Sequence, residues 1–265
     1  MARQIHPLIA RDEFTTLYKI CAETALGSDS VFTSEEFASF AYGIYASLIE
    51  ASAHFNLTAI TEPSAVTERH IVDSLIPLKL MIEHGLISPN GEYTLTDIGA
   101  GAGFPSLPLA AACTAAEKVG GLPQLQIHAV DSTAKKIKYI SNTAVKLGIK
   151  NISATVGRAE VLAHTKLREN CDIVTARAVS AMPTLIELAA PFVKVGGVFA
   201  AMKSHADDEV KAAAGAAAKL GLSEAQIIRY SLPSGDERSL VLYRKIKKTP
   251  TEYPRIYSKI TKEPL

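Results

Sequence analysis

Gly99, Gly101 and Gly103 lie in the run LTDIGAGAGFPSLPLA (residues 95–110), behind the apolar end of an expected strand and ahead of an expected helix. Glycine there permits positive φ and close approach of backbone to a ligand, while a helix N-terminus offers unpaired N–H groups to an electronegative one. Pro105 or Pro108 suits a first helical turn, whose N–H groups lack intrahelical partners. Asp131 closes the next apolar run, LQIHAVD, where a carboxylate can accept hydrogen bonds from the ribose of a nucleoside. Its structural alternative is to cap the helix that begins near Thr133. Arg177 and Lys203 fall at the carboxyl ends of two later expected strands, the edge at which open α/β sheets bind ligands.

Two nucleoside cofactors share this logic, NAD and S-adenosylmethionine. A dinucleotide loop has the spacing Gly-x-Gly-x-x-Gly and its acid about twenty residues on. Here the spacing is Gly-x-Gly-x-Gly followed by Phe104-Pro105, with Asp131 farther away. The combination favours S-adenosylmethionine.

The elements that must hold these residues follow from hydrophobic periodicity. To about Leu86 the chain reads as helical: Phe37, Phe40, Ala41, Ile44, Tyr45, Leu48 and Ile49 recur at three- and four-residue intervals behind a cap at Ser34. A second periodic stretch, Val66 to Met81, follows the turn-like Thr61-Glu62-Pro63. From Tyr93 short apolar segments alternate with helical ones, and two adjacent strands, Ala225–Leu232 and Ser239–Lys245, end the series. Alternation implies a parallel sheet with crossover helices, and the final pair an antiparallel strand at its edge. The expected fold is therefore α/β: a Rossmann-like, mostly parallel seven-stranded sheet of the class I methyltransferase type with an antiparallel C-terminal strand. Residues 1–86 form an N-terminal helical extension packed on it, and residues 87–265 the cofactor-binding domain.

With 265 residues, 48% of them hydrophobic, the chain can bury a sizeable core and is too apolar to be disordered. Its N-terminus has no apolar leader core, and its most apolar stretch is shorter than a membrane span and contains Pro108, so a cytoplasmic protein with no membrane contact is expected. Cys21, Cys113 and Cys171 form no paired spacing, and the histidines form no ligand spacing, so no disulfide framework and no metal is expected. The net charge of +1 hides local patches. Lys135, Lys136, Lys138, Lys146 and Lys150 occur without an acid between Ser132 and Asn151, and a second basic cluster including Lys245 and Arg255 lies beyond Arg244. Such patches fit contact with a polyanion; the alternative is a solvated helix face and a soluble tail.

The runs FNLTAI (55–60), RHIVDSL (69–75), DIGAGAGFPSLPLA (97–110), VDSTAKK (130–136), GRAE (157–160), ARA (176–178), AMKS (201–204) and YPRIYSKITKEPL (253–265) occur in that order. Through them the chain, from about residue 50 to its end, resembles the RsmG (GidB) family of bacterial small-subunit rRNA guanine-N7 methyltransferases. The resemblance implies that Gly99 and Phe104 line an S-adenosylmethionine site that Gly101 and Gly103 help to shape. It also implies Asp131 at the ribose, Ala159 and Glu160 near the adenine, and Arg177 at the mouth beside the donor. It departs from the family's usual pattern at Ser106, Lys136 and Ser204, and leaves residues before about 50 without a role.

Guanine N7 carries a lone pair and no proton, so attack on a methyl sulfonium requires placement of the reactants and no general base. Arg177 and Lys203 are the candidates to hold guanine O6, since Arg or Lys pairs well with guanine's Hoogsteen edge. Arg69, His70 and Asp73 can share one helix face. For Asp73, as for Asn56, a capping and packing role is favoured; with N7 lacking a proton, His70 has substrate contact or structure as its role. Lys135, Lys136, Arg69, His70 and Arg255 are the candidate contacts to 16S rRNA or to the small ribosomal subunit. Aromatic residues are what usually stack a base, and Phe104 and Tyr139 are available, although either can be core. A monomer is expected. Three other readings stay open: another methyl acceptor on the same fold, a non-catalytic ribosome-binding protein retaining the donor site, and, least favoured, a dehydrogenase.

Overall fold

The computed structural model describes residues 5–28 and 30–265. Helix α1 (Arg11–Leu26) buries Phe14, Tyr18, Ala22 and Leu26, one face at helical spacing, against α2 (Glu35–Ser52), where Phe14 and Tyr45 stack at 4.5 Å. Ser34 Oγ accepts the Phe37 N–H as the N-cap of α2, as its sequence implies, and Ala41, Ile44, Tyr45 and Leu48 form the buried stripe. Glu62 caps the short α3 (Pro63–Val66) through the N–H groups of Ser64 and Ala65, with Pro63 in the first turn.

Here the structure departs from the sequence expectation. The stretch Val66 to Met81 is not one regular helix: a π turn, Thr67–Val72, separates α3 from α4 (Asp73–Glu83), and the Asp73 N–H reaches back to Glu68 O. A π turn takes an extra residue per turn and is fixed by outside contacts, so side-chain periodicity does not disclose it. One such contact is the Arg177 guanidinium on Arg69 O, at 3.0 Å; within the segment the Ser74 hydroxyl also donates to His70 O.

The alternating region then unfolds in order: β1 (Glu92–Ile98), α5 (Ser106–Val119), β2 (Gln124–Asp131), α6 (Ala134–Leu147), β3 (Ile152–Val156), α7 (Ala159–Leu162), β4 (Cys171–Arg177), α8 (Met182–Ala189), β5 (Val193–Lys203) and α9 (Asp207–Lys219). The strands β6 (Gln226–Ser231) and β7 (Glu237–Arg244) and the helix α10 (Tyr257–Lys262) complete the α-helices and strands of the described residues. The sheet order is β3-β2-β1-β4-β5-β7-β6. β7 runs antiparallel between β5 and β6, so the antiparallel strand is one place in from the edge, and every other pairing is parallel. This is the Rossmann-like, class I methyltransferase sheet. Helix α2 lies against α5 and α6, and one continuous apolar core joins the N-terminal helices to the sheet.

Register decides which residues meet at the carboxyl edge. Ile98 pairs with Val130 on one side and with Ala176 on the other, Arg177 with Met202, and Lys203 with Ser239. The strand order reverses between β1 and β4, and a crevice opens at such a switch point.

Candidate functional site: two clefts at the carboxyl edge

The loop after β1 is built on left-handed backbone: Gly99, Gly101 and Gly103 have φ of 69°, 57° and 82°. At Gly99 a Cβ would fall 2.7 Å from Val179 Cγ2, and at Gly103 one would fall 2.5 Å from Leu107 Cδ1, so a side chain there would be strained by its φ and would push these neighbouring side chains aside. Asp131 ties the loop down. Its Oδ2 accepts the Gly101 N–H at 3.0 Å and its Oδ1 accepts the Thr133 N–H at 2.8 Å. The carboxylate thus fixes the glycine turn and the start of α6 together, and each oxygen keeps a lone pair for a further donor.

Gly99 and Asp131 line a cleft of about 220 Å³ with Ala159 and Glu160. The remaining walls include Ile98, Val130, Val179 and Leu188, together with Arg158 and Tyr257. Apolar faces for a purine and a carboxylate for a ribose diol fit an adenosine-containing ligand. Gly101 and Gly103 shape the turn and are not part of the cleft wall. Phe104 is buried beneath the loop, where it stacks on His70 with ring centroids 4.5 Å apart and lies 5.4 Å from the Arg177 guanidinium carbon.

Asp97, which has no assigned role on sequence grounds, lies buried beneath this loop. Its Oδ1 accepts from Thr175 Oγ1 at 3.0 Å, and the Ser106 hydroxyl donates to Oδ2. Desolvation raises its pKa to about 6, against the lowering effect of these hydroxyls and of Arg177. Ser106, a departure from the usual family residue, is therefore half of a buried hydrogen-bonded pair.

A second, larger cleft of about 670 Å³ adjoins the first: Ala178 lines one and Val179 the other. Its walls include Arg69, His70, Asp73, Arg177, Lys203 and Glu209. Ala178 holds a φ of 55°, a left-handed conformation that costs a non-glycine residue energy and occurs here at the junction of the two clefts.

Arg177 is held from three sides. Nη1 donates to Arg69 O at 3.0 Å and to Asp73 Oδ2 at 3.4 Å, and the guanidinium rests over Phe104. Burial lowers its pKa, while Asp73 and Asp97 oppose the shift. Asp73 also accepts from the Tyr230 hydroxyl at 2.9 Å and lies 3.9 Å from Arg238 Nε, so it joins α4 to both strands of the β6–β7 hairpin. Lys203 Nζ donates to Ser180 O and to Glu209 Oε2, both at 2.7 Å. Tyr230, Arg238 and Glu209 belong to this network without any signal in the sequence, because what links them is strand register and the fold of the hairpin.

The candidate RNA contacts separate. Arg69 faces the second cleft but pairs with Asp236 at 3.1 Å. His70 is not a charged phosphate contact: burial, and next the Arg177 charge, drive its pKa down to about 3, and its Nε2 is 2.8 Å from Thr58 Oγ1. Lys135 is exposed and Lys136 half-buried on α6, and Lys135 lines a separate groove between α2 and α6 with Lys138 and Lys146. Tyr139 is core. The basic tail is not a free arm. Lys245 is buried, with its ammonium on Ala190 O at 2.6 Å, and Arg255 Nη2 meets the fully buried Glu187 Oε2 at 2.7 Å. Arg255 lines neither cleft. Among the described residues no helix is long and apolar enough to cross a membrane.

Comparison with known proteins agrees with this arrangement. Residues 41–241 match the family model described as rRNA small subunit methyltransferase G. The protein of Streptococcus sanguinis (strain SK36) called ribosomal RNA small subunit methyltransferase G is 41% identical over 220 residues, covering 82% of this chain and 87% of its own. Its namesake in Lactobacillus acidophilus is 43% identical over 211 residues, 78% and 82% of the two chains. The namesake in Deinococcus radiodurans is 38% identical over 243 residues, 91% of this chain and 88% of its own. That alignment is longer than the residues from 50 onwards can supply, so likeness reaches into the N-terminal helices. With the family model spanning most of the chain and these relatives covered over most of their length, the chain belongs to the rRNA small subunit methyltransferase G family.

Proposed function

We propose that the chain transfers a methyl group from S-adenosyl-L-methionine to N7 of a guanine in 16S rRNA. The observation that carries this reading is the meeting of two clefts at Ala178 and Val179, with the Arg177 guanidinium fixed at their junction. In the donor cleft Asp131 binds the ribose and holds the glycine turn, and Ala159 and Glu160 flank the base. When bound, S-adenosylmethionine supplies a sulfonium methyl: the N7 lone pair forms the new N–C bond, the C–S bond breaks, and its electron pair stays on sulfur.

The chain's own residues then orient and neutralise. Arg177 directs N–H groups to guanine O6 from a guanidinium that Asp73 and Arg69 O restrain, so little reorganisation accompanies the reaction. Lys203 uses two of its N–H groups on Ser180 and Glu209 and retains a third for the acceptor side. Neutral His70 keeps Phe104 in place and carries no proton in the reaction. Lys135 and Lys136, at the start of α6 just beyond Asp131, contact the RNA backbone. Orientation of this kind supplies up to roughly 7–11 kcal/mol in favourable intramolecular systems.

Labelled S-adenosylmethionine offered with naked 16S rRNA and with small subunits tests the assignment, followed by borohydride and aniline treatment. Label transfer with chain cleavage at one guanine is expected. No transfer to either RNA form would overturn the methyltransferase reading, and transfer without cleavage would move the acceptor to another atom.

A further inference from the structure

Tyr257 forms part of the donor-cleft wall although it lies in α10, far along the chain from the glycine loop. Its ring is partly exposed, and the Arg158 guanidinium carbon lies 4.5 Å from the ring centroid. Arg158 Nε in turn donates to Glu160, a buried carboxylate in the same wall. Ring, guanidinium and carboxylate are thus linked side by side in the cleft wall, which Ile98 and Val130 also line.

A six-residue helix does not persist on its own. The segment that leads into it is held by contacts outside the helix. Fully buried Glu187 accepts from Arg255 N at 2.8 Å, Nε at 2.9 Å and Nη2 at 2.7 Å. Arg168 donates to the carbonyls of Tyr253, Thr249 and Pro250 at 2.7, 2.9 and 3.0 Å, and His164 Nε2 lies 2.9 Å from Pro254 O. Ile260 is fully buried. A buried ion pair adds little net stability over apolar packing, but it admits few alternative arrangements. Glu187 is followed in α8 by Leu188, which lines the cleft itself. One helix therefore supplies both the anchor for the tail and a residue of the wall of the same cleft.

We propose that α10 is the outer wall of the donor site, that Tyr257 is a donor-contacting residue giving a flat face to the adenine end, and that Glu187 and Arg255 are positioning residues acting through it. This rests on the donor reading above and extends it to residues that no motif of the glycine-loop type identifies. An aromatic face backed by a cation is complementary to a purine, and its placement by the tail makes donor affinity depend on a segment outside the parallel α/β units.

The test is calorimetric titration of the full chain with S-adenosylhomocysteine, without RNA, so that binding is read independently of the acceptor. Tyr257→Ala and Tyr257→Leu are expected to raise the dissociation constant about tenfold, the loss of one aromatic face, while Tyr257→Phe leaves it within about twofold. Glu187→Gln is expected to weaken binding in the native background and to add nothing in the Tyr257→Leu background, the non-additivity of residues acting through one another. Thermal melts of the same variants separate this from global loss of fold, and the Phe and Leu replacements retain the bulk on which α10 packs. Unchanged affinity in Tyr257→Leu, or additive effects of Glu187→Gln, would overturn the proposal while leaving the donor assignment intact. No binding of S-adenosylhomocysteine by the unaltered protein would sink both.

Discussion

Asp97 shows how a single side chain couples the loop to the sheet. It faces Thr175 because β1 and β4 pair in register at those two residues, and it meets Ser106 because the glycine turn brings the start of α5 back over the strand. Folding raises its pKa from 3.8 to about 6, so protonation favours the folded state: this contribution is complete below pH 3.8 and is lost as the pH rises through 6. Asp97→Asn removes the titration. Thermal midpoints of the native and Asp97→Asn proteins, measured from pH 4 to 7, should show the native protein's relative standing fall as pH rises and level off beyond about 6. A gap independent of pH would rule out ionisation of Asp97 in this range. Asp131 is the contrasting carboxylate, engaged by two backbone N–H groups at the cleft wall. The ribose role proposed for it and its role at the start of α6 are compatible because the hydrogen-bonded oxygens still have acceptor capacity.

At the scale of elements, the β6–β7 hairpin is a brace for the second cleft. Tyr230 and Arg238 reach Asp73, Asp236 pairs with Arg69, and the Ser234 N–H donates to Glu68, so the hairpin grips the π turn and the start of α4 from one side. Helix α1 packs against the same turn from another. That is the structural role of residues before 50: α1 and α2 back the turn that carries Arg69 and His70. Tyr230→Phe deletes one hydrogen bond to the buried Asp73 without changing the ring. It should lower unfolding free energy in urea by about 1–3 kcal/mol, the range for leaving a buried polar group short of a partner. It should also slow methyl transfer more than it weakens S-adenosylhomocysteine binding, since Asp73 restrains Arg177 and lines the second cleft, not the cleft proposed for the donor. An unaltered ratio of the two effects would separate Asp73 from the positioning of Arg177.

Much of this element plan is legible in the sequence. The seven strands and the helices between them follow from the alternation of short apolar runs with helical segments, α6 (Ala134–Leu147) among them. The π turn and the hairpin brace are not legible. Their causes are contacts between residues more than a hundred positions apart, such as Arg177 with Arg69 and Tyr230 with Asp73.

For the whole molecule, charge placement matters more than the net charge of +1. Of the tail cations, Lys245 and Arg255 are taken up by partners inside the fold while Lys247, Lys248, Lys259 and Lys262 stay exposed, and on α6 Lys135 is exposed and Lys136 half-buried close to Asp131. Replacing Lys135 and Lys136 together by Ala should weaken binding to 16S rRNA and reduce the slope of log affinity against log salt by about 1–2, the effect of losing one or two phosphate contacts. S-adenosylhomocysteine affinity should stay unchanged. Filter binding across a salt series measures the slope, and an unaltered slope would remove these lysines from the RNA interface.

The order of strands and helices, the glycine turn and the acid after β2 are properties of the sequence by itself, because they depend on local periodicity, on φ restrictions and on spacing along the chain. Resemblance in ordered motifs brought the same residues to a family. Tertiary structure decided which charges are available. It committed Arg255 to Glu187 and Lys203 to Glu209, made His70 neutral, and brought Tyr257 to the cleft that Gly99 and Asp131 line. Burial and pairing depend on which surfaces meet, and those meetings arise only when the sheet register and the returning tail close around one edge.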